Sequence, residues 1–262
     1  MTAAQRRVGV IGGLGRMGSA VCDAVQAADG LELAAVVSRQ GGRAGAATVV
    51  HGVPVADAVS AVVDAQCDVV VDFTLAAAAR VHVPFLAEHG IHAVVGTTGL
   101  GDDDVAHWRA AFTRSNCIVS ANFAISAVLM MRFAELAAPH FDTAEIIELH
   151  HDRKADAPSG TAMSTARRMA AASPQWAADP TTHLDIEGAR GAAGPGGIRI
   201  HSVRMRGMVA HQEVVLGAAG QTLTLRQDSY DRISFMPGVV LACRRVDEFP
   251  GVTLGLDALL GI

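Results

Sequence analysis

The chain has 262 residues, 50% of them hydrophobic and 18% charged, with a formal net charge of −5 and a pI near 6.1. That length can bury a full core in one large domain or two modest ones. The acidic balance and an aromatic content of 4% argue against a nucleic-acid partner, and no apolar run reaches the roughly 18 residues of a membrane span.

In chain order, the hydrophobic pattern predicts a strand at 7–11, a helix at 17–28 and a strand at 31–37, then a loop around Gly41, Gly42 and Gly45. Strands follow at 68–73, 91–95 and 117–121, separated by helices at 76–89 and 102–113. Near-continuous apolar strands alternating with Ala-rich helices predict a parallel sheet covered on both faces. After Phe123 the character changes: a long apolar helix at 125–141, a strand at 145–150 and a helix at 159–172 with Ser159 as N-cap. A Pro/Gly-rich connection at 173–197 leads to strands at 199–206, 208–216 and 221–228. Short turns at Gly207 and at 217–220 predict that these three pair antiparallel in succession. A last helix at 233–245 and the apolar tail return to the first domain. Cys22, Cys67, Cys117 and Cys243 stand singly, without metal-ligand spacing, and read as reduced residues of a cytoplasmic protein with no metal site. The first residues carry no signal-peptide pattern.

Gly12, Gly13, Leu14, Gly15, Arg16, Met17 and Gly18 follow the first strand and open the first helix. Glycines there permit a tight turn and close backbone approach, and the helix start offers free N–H groups to a pyrophosphate. The pattern fits GxGxxG or GxxGxxG, and its strand–turn–helix setting points to a dinucleotide on a Rossmann-like, doubly wound sheet. A site selective for NAD would place Asp or Glu at the end of the second strand. This chain has Ser38 and Arg39 there, with Arg43 nearby, which favours NADPH over NADH. Two further loops, with Gly96, Thr97 and Thr98 and with Ser120, Ala121, Asn122 and Phe123, end strands and face the same crevice.

Lys154 is the only lysine among 21 basic residues, so twenty are arginine. Where a fixed positive charge suffices, this sequence writes Arg; an ammonium, unlike a guanidinium, can also release a proton. Lys154 follows His150 and His151 and precedes Pro158, Ser159, Gly160 and Thr161. A helix start of Ser-Gly-Thr beside Lys and His makes an anion-binding face.

Taken together, Gly12-x-x-Gly15-Arg16-Met17-Gly18, Asp72-Phe73-Thr74, Gly96-Thr97-Thr98-Gly99, Asn122-Phe123 and Glu148-x-His150-His151-x-x-Lys154-x-Asp156-x-Pro158-Ser159-Gly160-Thr161 resemble the 4-hydroxy-tetrahydrodipicolinate reductases, also called dihydrodipicolinate reductases. The similarity runs end to end, including Gly207-x-Val209-Ala210-His211-Gln212-Glu213-Val214 and Ser234-Phe235-x-Pro237-Gly238. The His-His-x-x-Lys segment is its most specific part. The resemblance implies an NAD(P)H-dependent oxidoreductase of diaminopimelate and lysine biosynthesis. His150 and Lys154 would be catalytic, and His151, Ser159, Gly160 and Thr161 would hold the carboxylates of a small dicarboxylate substrate. The cofactor would lie against Gly12, Gly13, Leu14, Gly15, Arg16, Met17, Arg39, Gly96, Thr97, Thr98, Ser120, Ala121, Asn122 and Phe123. Residues 1–123 and 231–262 would form the dinucleotide-binding domain. Residues 124–230 would form a smaller α+β domain with a mostly antiparallel sheet for substrate binding and oligomerisation, in a homotetramer. The chemistry needs hydride at one carbon and a proton at its neighbour; Lys154 either donates that proton or fixes a carboxylate. Ser38 departs from the acidic residue often found there, and Ser126 stands where a Gly is expected, which predicts a slight shift in helix packing. Two alternatives are another two-domain nicotinamide-dependent dehydrogenase and an NADPH sensor without turnover. A Tyr-x-x-x-Lys reductase is excluded, because Tyr230 is the sole tyrosine and Ser234 occupies the lysine position.

Overall fold

Strands buried on both faces need apolar residues without alternation, and the first half of the chain supplies them. In the computed structural model, which describes residues 5–41 and 48–262, β1 (Arg6–Ile11) leads through α1 (Arg16–Ala27) to β2 (Leu31–Val37). Next come β3 (Val49–Val50), β4 (Val53–Ala56), α2 (Ala61–Asp64), β5 (Val69–Asp72), α3 (Ala76–Glu88), β6 (His92–Val95), α4 (Asp102–Ala111) and β7 (Cys117–Val119). The chain then forms α5 (Ile125–Ala137), β8 (Thr143–His150), α6 (Gly160–Ala172), β9 (Ala192–Ala193), β10 (Arg199–Arg204), β11 (Ala210–Ala218) and β12 (Gln221–Ser229). It closes with α7 (Met236–Arg245), β13 (Val252–Leu254) and α8 (Asp257–Leu260). Two units result: Met1–Phe123 with Arg232–Ile262, and Ala124–Asp231.

The first unit holds an eight-stranded sheet in the order β13-β7-β6-β5-β1-β2-β4-β3, parallel throughout except for β3 against β4. Val62 of α2, Val83 and Leu86 of α3 and Trp108 of α4 pack with Ile11, Val37, Val70 and Val95 of the strands in one buried cluster. Helices α1 and α7 pack together, and α7 also meets β5 and β6. Val8, Val69, Val70, Val71 and Val94 have no more than 0% exposure, and each such side chain contributes about 1.5–3 kcal/mol of burial. Three aspartates in the first turn of α4 complement its dipole. The chain runs outward from β1 to β2, then returns to β5 on the other side, so the strand order switches between β1 and β5. Ligands of open parallel sheets bind at such a switch, outside the carboxyl ends of the strands.

The second unit holds a five-stranded sheet, β12-β11-β8-β10-β9. Three of its four pairings are antiparallel, and β10 runs parallel to β8. This corrects one expectation: β10 and β11 do not form a hairpin about Gly207, because β8 lies between them. A strand followed by a covering helix returns parallel to itself, and α6 makes that crossover from β8 to β10. The Gly207 turn (φ +89) instead carries the chain across β8. Ser159 caps α6, its Oγ accepting from the Ala162 N–H at 3.1 Å, a contact worth about 1 kcal/mol. α5 is a regular helix from Ile125 to Ala137, and the Ser126 hydroxyl meets the Gln227 amide N–H donor at 3.2 Å.

Element boundaries elsewhere lie within a few residues of the sequence reading, except that the helix expected at 125–141 ends at Ala137 and continues only as a 3-10 turn, and α7 begins at Met236 after another such turn. The short β3, β4, α2, β9, β13 and α8 were not anticipated. Gly42, Gly45 and Arg43 lie outside the described residues. All four cysteines are buried and unpaired, and burial pushes Cys22, Cys67 and Cys243 up to about 12 and Cys117 higher still. They are thiols without nucleophilic character.

Candidate active site

In the first unit, five loops leave the carboxyl ends of β1, β2, β5, β6 and β7. The turn after β1 is built for close backbone approach. Gly12 has φ +83 and its N–H donates to the Val37 carbonyl at 2.7 Å. A Cβ on Gly18 would sit 2.1 Å from the Gly12 carbonyl oxygen, and one on Gly13 would sit 2.4 Å from Val36 Cγ1. Only glycine fits either place, and the exposed Gly15 and Arg16 leave the start of α1 open. That cradle fits the pyrophosphate of a dinucleotide.

The neighbouring loops touch one another. A Cβ on Gly12 would meet Thr74 Cγ2 at 3.1 Å, and one on Gly96 would collide with the Phe73 ring at 2.1 Å. Phe73 in turn packs on Phe123 with ring centroids 5.4 Å apart. Ser120 Oγ donates to the Asn122 carbonyl at 2.7 Å, closing the loop after β7. Thr97 and Ser120 are buried, while Thr98 and Ala121 are exposed. Arg39 is exposed in the turn after β2, with Ser38 half-buried beside it. The glycine turn, the Gly96–Thr98 loop and the Ser120–Phe123 loop named from sequence thus lie at one end of the sheet, after the carboxyl ends of β1, β6 and β7, with Arg39 in the turn after β2.

The second unit gathers the other set at the end of β8. Glu148, fully buried, accepts from Arg204 Nη1 on Oε2 and from Arg204 Nη2 on Oε1, both at 2.8 Å. Its Oε2 also accepts from His150 Nδ1 at 2.5 Å, and its Oε1 from the Ser159 backbone N–H at 3.1 Å. Register explains the meeting, since Arg204 lies beside His150 on the parallel pair β10–β8. Burial alone would push the Glu148 carboxyl up; hydrogen bonds from Arg204, Ser202 and His150 overcome this and hold it below its ordinary value. A carboxylate facing Nδ1 makes that nitrogen the N–H donor, so any proton His150 gains or loses passes through Nε2. Desolvation lowers the His150 pKa, and Lys154 and Arg204 press it further down, against an opposing pull from Glu148.

Lys154 Nζ donates to both Asp156 oxygens, at 2.9 and 2.8 Å. The same contact holds the exposed Asp156 carboxyl below its usual range. His151 Nδ1 accepts from the Arg153 N–H at 3.2 Å, which leaves Nε2 as its outward donor. Ser159, Gly160 and Thr161 form the start of α6. That turn is fixed from beneath, because Thr165 Oγ1 donates to the Thr161 carbonyl and Gln212 Nε2 donates to Thr165 Oγ1. The cluster therefore offers an ammonium, two imidazoles and a helix start to an anion. Glu148 and Arg204 were not assigned as site residues from sequence. Glu148 stands at the head of the His-His motif, and its position two residues before His150 on a strand, facing the same side, was the available signal.

Two family profiles cover almost the whole chain: "Dihydrodipicolinate reductase, N-terminus" matches residues 6–123, and "Dihydrodipicolinate reductase, C-terminus" matches 126–260. The chain belongs to the dihydrodipicolinate reductase family. It is 46% identical over 260 residues to the 4-hydroxy-tetrahydrodipicolinate reductase of Mycolicibacterium vanbaalenii, covering 98% of this chain and 99% of that one. Identity to the enzyme of the same name from Nocardia farcinica is 47% over 262 residues, with the same coverage. Among solved structures, a dipicolinate-bound dihydrodipicolinate reductase from Paenisporosarcina sp. TG-14 superposes with a TM-score of 0.88 at 38% identity, over 97% of this chain and 99% of that one. An amine dehydrogenase from Mycobacterium smegmatis, at 14% identity and a TM-score of 0.60 over 96% and 95% of the two chains, shares the fold alone. The dihydrodipicolinate reductase likeness thus spans both the glycine cradle and the His150–Lys154 cluster.

Proposed function

We propose that this chain reduces 4-hydroxy-tetrahydrodipicolinate to tetrahydrodipicolinate with NADPH, in diaminopimelate and lysine biosynthesis. It is an NAD(P)H-dependent oxidoreductase of the dihydrodipicolinate reductase family. The observation that carries the reading is the Arg204–Glu148–His150 chain ending beside Lys154 and the Ser159-Gly160-Thr161 helix start.

In this reading the reduced nicotinamide, when bound, supplies the hydride. Gly12, Gly13, Leu14, Gly15, Arg16 and Met17 hold its pyrophosphate, while Gly96, Thr97, Thr98, Ser120, Ala121, Asn122 and Phe123 receive the ribose and nicotinamide end. Arg39 pairs with the 2′-phosphate, supported by the lack of any acidic side chain at Ser38 or Arg39. Lys154 binds one substrate carboxylate, supported by its grip on both oxygens of Asp156. His151 and the α6 start bind the dicarboxylate as well. His150 Nε2 delivers the proton to the carbon next to the one that takes hydride. A bound dianion beside the ring favours its protonated form and offsets the downward push of burial. The Ala124–Asp231 unit is the substrate and oligomerisation domain of a cytoplasmic homotetramer, in keeping with its largely antiparallel sheet and the four free cysteines.

The test follows NADPH and NADH absorbance while substrate is generated in place from pyruvate and aspartate semialdehyde by the preceding synthase. Oxidation that depends on the synthase product, runs faster with NADPH and collapses in Lys154→Ala is the expected result. Cofactor binding without turnover would leave a sensor and overturn the reading.

A further inference from the structure

The buried carboxylate of Asp72 has no role in the chemistry above. It is 0% exposed and ends β5, the strand on one side of the switch point. Oδ1 accepts from the Thr74 N–H at 2.8 Å, from Thr74 Oγ1 at 2.6 Å and from Thr97 Oγ1 at 3.2 Å, the Asp72 backbone carbonyl being a longer second acceptor for the Thr97 hydroxyl at 3.4 Å. Oδ2 faces His82 Nδ1 of α3 at 2.9 Å. Thr74 and Thr97 stand on different crevice loops, and Thr74 lies against Gly12 of the cradle.

We propose that Asp72 is a positioning residue of the cofactor site, which turns the Thr74 and Thr97 hydroxyl protons inward so that both threonines present only lone pairs to the crevice. The proposal rests on the dinucleotide reading of that crevice. A carboxylate only accepts, and a hydroxyl has one proton to give. With that proton committed to Asp72, each threonine oxygen accepts from a ligand donor and disfavours a phosphate or carboxylate oxygen. The donors that the nicotinamide end of a dinucleotide offers are its ribose hydroxyls and carboxamide NH2. Phosphate oxygens belong at the N–H groups of the glycine turn. The two halves of the crevice therefore sort the ends of the ligand by hydrogen-bond polarity, and Asp72 sets the polarity of one half. His82 satisfies the second oxygen from the helix side, so the carboxylate has partners on both oxygens.

The experiment is NADPH titration by fluorescence, with KM and kcat in the coupled assay and thermal melting as a fold control. The proteins are the parent, Asp72→Ala, Asp72→Asn, Thr97→Val, Thr97→Ser and the Asp72→Ala/Thr97→Val double variant. Asp72→Ala is expected to weaken NADPH about tenfold, with the loss in KM for NADPH rather than kcat. Thr97→Val should cost a similar factor in the parent and nothing further beside Asp72→Ala, because the two act through one contact. Asp72→Asn should rescue: its oxygen can serve the loop donors while its amide donates to His82 in the other tautomer. If Asp72→Ala does not fold, Thr97→Ser binding like the parent and Thr97→Val binding about tenfold more weakly carry the same expectation. Affinity unchanged in Asp72→Ala, equal affinity of the two Thr97 variants, or losses that multiply in the double variant would each overturn the proposal. A parent that binds neither NADPH nor NADH would overturn the dinucleotide reading first and the proposal with it.

Discussion

Replacing Glu148 by Gln tests the center of the second-unit cluster with a change of one atom. The amide keeps one acceptor, but its NH2 must face Arg204 together with either His150 or Ser159, all of them donors. The guanidinium of Arg204 loses its counter-charge, the fully buried Glu148 carboxylate. Breaking a buried pair from one side costs about 3–5 kcal/mol. Arg204 is 19% exposed and keeps bonds to the Val203 and Asp156 carbonyls, which places the loss near the lower end, about 3 kcal/mol. For a chain of this size that lowers Tm by roughly 6–12 °C. Activity should fall further than stability alone would suggest, because His150 loses the partner that fixes its tautomer; a loss of about 100-fold in kcat is expected. Glu148 also raises the His150 pKa against burial. Without it the pKa drops further, so the limb where kcat/KM falls with rising pH should move to lower pH. Calorimetry and pH-resolved coupled kinetics read all three. A folded variant with kcat within about threefold of the parent and an unmoved limb would refute the reasoning.

Lys154→Arg keeps a positive charge beside the substrate but with the wrong shape; it should retain more activity than Lys154→Ala, with the deficit mainly in substrate KM, if anchoring is the role of Lys154. Equal collapse of kcat in both variants would assign proton transfer to the ammonium instead. Gly18→Ala forces a Cβ to within 2.1 Å of the Gly12 carbonyl oxygen, so it should cost about 2–3 kcal/mol of stability and remove NADPH binding, read by melting and fluorescence titration. Stability should also fall with pH in two steps. His150 and His92 lie below the ordinary imidazole value and Glu145 and Glu148 below the ordinary carboxylate value. For all four the unfolded chain binds more protons, so their contributions are present above the unfolded pKa, about 6.5 for His and 4.3 for Glu, and are lost as pH falls toward the folded values. Urea midpoints should drop below pH of about 6.5 and again below about 4.3; His92→Gln should flatten the first step, and an unaltered first step would contradict the assignment.

The strands and helices of the first unit were legible because Val69–Val71 and Ala93–Val95 make unbroken apolar runs in β5 and β6 and the glycine turn has one strand–helix setting. The His150–Lys154 segment was legible because its residues are contiguous. What the sequence concealed are pairings between distant positions. Arg204 reads as one more arginine on a strand until the β8–β10 register sets it against Glu148, 56 residues earlier. That register was itself misread, since Gly207 looks like a hairpin turn and nothing local reveals that β8 separates the strands it joins. Asp72 was visible as part of a motif, yet its partners Thr97 and His82 come from another loop and another helix. β3 and β4 escaped notice because they are short and lie beside a Gly-rich loop with Pro54 among their residues.

The missing side chain of Gly238 has a consequence for the chain's architecture. A Cβ there would lie 2.1 Å from the Phe123 carbonyl oxygen, so α7 packs directly on the residue where the chain leaves the first unit. Arg232, where the chain returns, precedes Gly238 by only a 3-10 turn and the start of α7, so residues 124–231 leave and rejoin the first unit near the same end of α7, as one continuous insertion. Closely spaced ends are what make insertion and excision tolerable. A short Gly/Ser bridge from Phe123 to Arg232 should regenerate the whole eight-stranded sheet in one uninterrupted polypeptide. On this view the dinucleotide-type unit is the host, and the unit bearing His150 and Lys154 is a guest that could be exchanged without redrawing the host's topology.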